Sequence, residues 1–128
     1  MALLQNPRFQ RAMRLLFWLA VIYAVAMAVV PKPPKLMIDS YGDKFEHILA
    51  FSTLTALAAL GFPAAPRWRI AERLSFLGAM IEVTQSIPAL YRDCDIRDWI
   101  ADTLAIVVVT VLMGLLLPRL PRDESIAP

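Results

Sequence analysis

Apolar residues fall in four blocks along the 128-residue chain, at 15–30, 43–61, 70–89 and 98–117, and polar or proline-rich stretches separate them. Each block is close to the ~20 residues that span the hydrocarbon core of a bilayer as a helix. The pattern predicts helices over about 7–30, 43–61, 70–89 and 98–117, followed by a polar tail over 119–128. Asn6-Pro7 suits the start of the first helix, since Asn caps free N–H groups and Pro fits the first turn. Asp43 followed by Glu46 has the spacing of a capping box opening the second. Gly61, Pro63 and Pro66 end it, and Pro88 kinks or ends the third. The expectation is an all-α polytopic membrane protein, a single domain of four transmembrane helices in a small bundle.

Composition agrees with this. Hydrophobic residues make up 59% of the chain and mean hydropathy is +0.58. A net charge of only +2 offers no general basic surface for nucleic acid. The single cysteine, Cys94, excludes an intrachain disulfide and any multi-cysteine zinc site. A signal peptide also begins basic and continues apolar, but the first block ends in Val29-Val30-Pro31 without a small-x-small cleavage pattern.

Arg8, Arg11, Arg14, Arg67, Arg69, Arg73, Arg119 and Arg122 fall on one side of the expected bundle, and Lys32, Lys35, Lys44, Arg92 and Arg97 on the other. The larger set marks the cytoplasmic side, which puts both termini in the cytoplasm. Tyr41, Tyr91 and Trp99 then form an outer aromatic belt. The first helix has no central ionisable residue and is expected at the periphery.

Polar chemistry gathers on the outer side. Glu82 and Gln85 share a helix face, Asp98 and Asp102 lie on one stripe, and Asp43 and His47 are one turn apart. A carboxylate at the centre of a membrane helix costs about 2.5–3.5 kcal/mol on insertion scales, so these groups need partners or a use. A buried pair of Glu82 with Arg92 or Lys44 would fix helix register. A hydrogen bond from His47 to Asp43 or Glu82 would satisfy the imidazole. Asp93 and Arg97 read as solvated loop charges.

Together these residues resemble the VanZ-like family of small membrane proteins. That family shows Asp-Lys with a His three residues after the Lys, here Asp43, Lys44 and His47. It then shows Glu-x-x-Gln, here Glu82 and Gln85, and an Arg with an Asp six residues on, here Arg92 and Asp98. Asp102 and Ala105 stand where the family usually has Asn and Gly, which puts a neutral role for position 102 in doubt. The resemblance spans 43 to about 114. The family takes its name from a protein associated with resistance to the glycopeptide teicoplanin, which implies envelope biology and leaves the reaction open.

Three function classes follow. In the first, Lys44, Arg92 and His47 hold the phosphate of a lipid head group or lipid-linked envelope intermediate, with Asp43, Gln85, Asp98 and Asp102 completing the site around Glu82. In the second, a membrane enzyme uses Glu82 or His47 as general acid–base. The third is a small transporter or proton-coupled channel, for which four helices are few. No cofactor is expected; the carboxylates could hold a divalent cation, but no ligand spacing demands a metal.

Overall fold

The computed structural model describes residues 2–31, 42–118 and 120, without the side chain of Asp43. The connector at 32–41, with Lys32, Lys35 and Tyr41, lies outside the described residues, as does most of the 119–128 tail. The elements are α1 (Ala2–Gln5), α2 (Pro7–Val29), α3 (Asp43–Gly61), α4 (Arg67–Gln85) and α5 (Ile96–Leu116), with a 3₁₀ turn at Pro88–Leu90. No strand occurs among the described residues.

Local chemistry sets the ends. The Asn6 side chain accepts from the N–H groups of Arg8 at 2.9 Å and Phe9 at 3.4 Å, as its place before Pro7 predicts. The cap falls one residue before the expected Asp43, whose side chain lies outside the described residues. The cap is Gly42 at φ 94°, with no side-chain cap bond, and Asp43 is already helical. Glycine reaches this left-handed φ without strain, which Asp does not. The third helix is displaced from the expected 70–89. It opens at Arg67, directly after Pro66, and closes at Gln85. Pro88 forces the residue before it out of the helical region, and Ile87 sits extended at φ −70°, ψ 118°. The fourth opens at Ile96 instead of 98, because Asp95 caps it by accepting from the Arg97 N–H at 2.9 Å.

Helices α2 to α5 run alternately up and down. At one end the Arg14 guanidinium donates to the Gly61 carbonyl at 2.7 Å and Arg67 donates to the Leu117 carbonyl. At the other end Gln85 donates to Ala28 O at 3.3 Å and Lys44 meets Asp98. Between them lies a narrow core of Phe17, Ala28, Phe51, Leu54, Ala58, Leu74, Ile81 and Ile106. Across α4 and α5, Ser75 and Thr103 pair through their hydroxyls at 2.9 Å and Trp99 Nε1 donates to Ser75 O at 3.0 Å. Trp99 is therefore partly tucked against α4 and does not project freely into an outer belt.

The first long helix is the more peripheral one, as expected: among its described residues only Phe17 and Ala28 are buried. Phe17 sits in the core, edge-on to Phe62 at 5.8 Å, and Arg14 lies over the same Phe62 ring. Gly61 permits this approach, since a Cβ there would meet the Arg14 backbone nitrogen at 3.0 Å.

Two helices, Pro7–Val29 and Ile96–Leu116, are long and apolar enough to cross a membrane. The other two long helices match the required length but carry more polar residues. The outward faces of α2 and α5 are apolar: Leu15, Trp18, Leu19, Ile22 and Tyr23 on one, and Val108, Val111, Leu115 and Leu116 on the other, are all more than half exposed.

Gly78 and Gly114 make a matched test of this packing. A Cβ on Gly78 would lie 3.0 Å from an Asp102 carboxylate oxygen and 3.4 Å from Phe51 and Trp99, whereas one on Gly114 meets nothing within 4 Å. Gly78→Ala should lower stability by about 1–3 kcal/mol through overpacking, despite the gain in helix propensity. Gly114→Ala should be neutral or stabilising by up to about 1 kcal/mol. Thermal unfolding of the two purified variants checks both; equal behaviour would contradict the close α4–α5 contact.

Candidate functional site

The end of the bundle that holds Ala28 and Gln85 also gathers ionisable groups from three helices. The first turn of α3 contributes Lys44 and His47. The last turn of α4 contributes Glu82. The first two turns of α5 contribute Asp98 and Asp102, and the cap residue Asp95 stands just before them. The prolines around this end concentrate the charges: Pro88 stops α4 soon after Glu82, and the short connector returns the chain so that Asp95 caps α5 beside it.

The contacts form a chain. Lys44 Nζ lies 2.8 Å from Asp98 Oδ1 and 3.4 Å from Asp95 Oδ2. His47 Nδ1 lies 2.9 Å from Asp102 Oδ1, and His47 Nε2 lies 3.8 Å from Asp98 Oδ2. The Asp95 backbone N–H donates to Glu82 Oε2 at 3.0 Å. Glu82, Asp98 and Asp102 are 5%, 3% and 0% exposed, so three carboxyl side chains are withdrawn from solvent together. Glu82 Oε1 is buried without a hydrogen-bond partner, a costly state for a carboxylate oxygen in an apolar bundle. An ionised carboxylate only accepts, so wherever Asp102 is ionised the contact requires the proton on Nδ1 of His47.

Two groups at the outer edge show the field of this cluster. The Arg97 N–H holds the Asp95 carboxyl below its ordinary range, and the Lys44 ammonium adds to this against an opposing loss of hydration. Loss of water around the Cys94 sulfur, with the nearby Glu82 carboxylate, pushes its exposed thiol above the ordinary value.

Of the residues expected to form a site, Lys44, His47, Glu82, Asp98 and Asp102 come together. The expected pairing of Glu82 with Lys44 or Arg92 does not occur. Lys44 goes to α5 instead, because Asp98 and Asp95 lie directly opposite the first turn of α3. Among the described residues no hydrogen bond or ion pair joins Arg92 to the cluster. His47 bonds to Asp102; the expected contact with Asp43 falls on a side chain outside the described residues. Gln85 is buried and uses its amide to bind Ala28 O, so it ties α4 to α2. The Asp43 side chain lies outside the described residues. Sequence reasoning missed Asp95, which caps α5, pairs with Lys44 and supplies the N–H for Glu82. Its signal is an Asp just before a helical apolar run, three residues ahead of an acidic residue in the first turn.

Comparison of the chain with family models, with curated proteins and with solved structures finds no match.

Proposed function

We propose that this chain is a VanZ-like, four-span protein of the bacterial cytoplasmic membrane, and that the polar end of its bundle recognises the head group of a lipid or lipid-linked envelope intermediate. The observation that carries this reading is the burial of Glu82, Asp98 and Asp102 at one end of a bundle with apolar outer faces, one Glu82 oxygen being left unmatched. Intramembrane ionisable groups are functional by default, because their desolvation costs more than a purely structural role returns. Lys44 is half exposed and already oriented by Asp98 and Asp95, so it is placed to meet a phosphate arriving from the rim. Arg92, in the connector above, supplies a second cation. The resemblance to the VanZ-like family rests on the Asp43, Lys44, His47, Glu82, Gln85, Arg92 and Asp98 pattern.

A second reading, a membrane enzyme acting on such a lipid, is favoured by one contact. His47 is held by the Asp102 carboxylate at 2.9 Å, as a general base is oriented by a third group.

The arginines of the opposite end, among them Arg8, Arg11, Arg14, Arg67, Arg69 and Arg73, support cytoplasmic termini and an outward-facing site. Cys94 then lies outside. A membrane-impermeant maleimide applied to intact spheroplasts should label it, more slowly than an ordinary exposed thiol because the raised thiol holds less thiolate; labelling only after lysis would reverse the orientation.

Lipid recognition is tested by native mass spectrometry of protein purified in mild detergent. The wild type should retain a phosphate-bearing lipid, and Lys44→Ala combined with Arg92→Ala should reduce that occupancy about tenfold or more, given the strength of hydrogen bonds to charged groups. Equal lipid content in both would remove the head-group reading. A chemically altered lipid in cells carrying wild type but not Glu82→Gln would establish the enzyme instead.

A further inference from the structure

His47, Glu82 and Asp98 each offer a ligand atom, and the three atoms lie within 4.8 Å of one another. They come from α3, α4 and α5, so the spacing along the chain gives no sign of them as a set. Other atoms of these residues are engaged by the protein. His47 Nδ1 is held by Asp102. Asp98 Oδ1 is held by Lys44, which leaves Oδ2 at 3.8 Å from His47 Nε2. Glu82 Oε2 takes the Asp95 N–H, which leaves the buried Oε1 with no hydrogen bond.

We propose that His47 Nε2, Glu82 Oε1 and the Asp98 carboxylate bind a divalent first-row transition-metal ion, of the Zn²⁺ or Mn²⁺ kind.

Three features carry this. The first is the unmatched Glu82 oxygen on a side chain only 5% exposed; a cation supplies the partner that no donor of the described protein supplies. The second is the Asp102–His47 contact. A metal-bound imidazole almost always gives its other N–H to a carboxylate or carbonyl, which fixes the tautomer and sharpens the lone pair on the ligating nitrogen. The third is charge. Among the described residues four carboxyl groups, of Glu82, Asp95, Asp98 and Asp102, face one ammonium and one imidazole, and a divalent ion offsets the excess. Lys44 stands on Asp98 as a counter-charge, and its half-exposed, flexible side chain can swing outward as a cation enters.

The donor set favours the metal class. One imidazole with two carboxylates suits zinc, manganese or iron, while magnesium and calcium take all-oxygen shells. Zinc ligands at about 2.0–2.2 Å stand roughly 3.3–3.6 Å apart in a tetrahedron, so the three ligand atoms need to close by about an ångström. Water or an incoming oxyanion would fill the remaining position, as in open zinc sites. The cation site stands without the head-group reading; joined to it, the ion would let a carboxylate-rich pocket take up a phosphate.

The test uses the metal alone. Protein bearing a histidine-free affinity tag is purified in mild detergent, stripped with EDTA and titrated with Zn²⁺ and Mn²⁺ by calorimetry. We expect about one equivalent bound per chain, retained through dialysis. His47→Gln and Glu82→Gln should each abolish the retained equivalent. Asp102→Asn should weaken binding about 10–100-fold without removing a ligand, with a loss of imidazole scattering in the X-ray absorption spectrum if the ring turns away. Should a variant fail to fold, the zinc-edge spectrum of the wild type decides alone: one imidazole and oxygen ligands at about 2.0–2.2 Å are expected. No retained equivalent, retention unchanged in both His47→Gln and Glu82→Gln, a wild-type shell without imidazole, or a preference for Ca²⁺ or Mg²⁺ over Zn²⁺ and Mn²⁺ would each overturn the proposal.

Discussion

Withdrawing a carboxylate from water is the constraint around which this bundle is arranged. Asp102 is fully enclosed between α3, α4 and α5, and it depends on the His47 imidazole at 2.9 Å to be there. That contact sets the register of α3 against α5. Gly78 sets how closely α4 can come, because the third helix must leave room for the same carboxylate. Asp98 is placed one turn earlier on α5, and Lys44 one turn earlier on α3, so the second bridge follows from the first. Removing a buried partner costs far more than an exposed one, and the two bridges make His47 and Asp102 the inner pair and Lys44 and Asp98 the outer.

The rest of the molecule serves to hold that end together. Apolar side chains along the middle give α2 to α5 their alternating arrangement, but they are few and the core is narrow. Direct polar links therefore stitch the two ends: Arg14 to Gly61 and Arg67 to Leu117 at one, Gln85 to Ala28 at the other. Each satisfies a carbonyl near a helix C-terminus, where intrahelical donors run out. The site thus sits on helix ends fixed from both directions, which is how a small bundle keeps ionisable groups within hydrogen-bond reach.

Much of the helix pattern was legible in the sequence because apolar runs and prolines are local signals. α3 begins and ends where its residues predict, and Asn6 caps α2 as expected. The errors lie where a boundary depends on neighbours. α4 ends at Gln85, because Pro88 acts through the residue before it, and α5 starts early because Asp95 caps it. The members of the polar cluster were identifiable as ionisable residues out of place in apolar runs. Their pairing was not, since it depends on which helix faces which: Lys44 reaches Asp98 rather than Glu82, and His47 reaches Asp102. The close approach of α2 to the end of α3 was hidden for the same reason, because Gly61 opens it only in three dimensions.

The central claim is that Glu82 is kept for a ligand and not for stability. The direct measurement is the unfolding free energy of metal-free Glu82→Gln in detergent against wild type. Gln keeps a carbonyl oxygen to accept the Asp95 N–H and, among the described residues, abandons no cationic partner, so stability should stay within about 1 kcal/mol of wild type or rise as carboxylate crowding falls. A loss of about 3–5 kcal/mol, the cost of breaking a buried ion pair, would contradict the account and make Glu82 a structural residue.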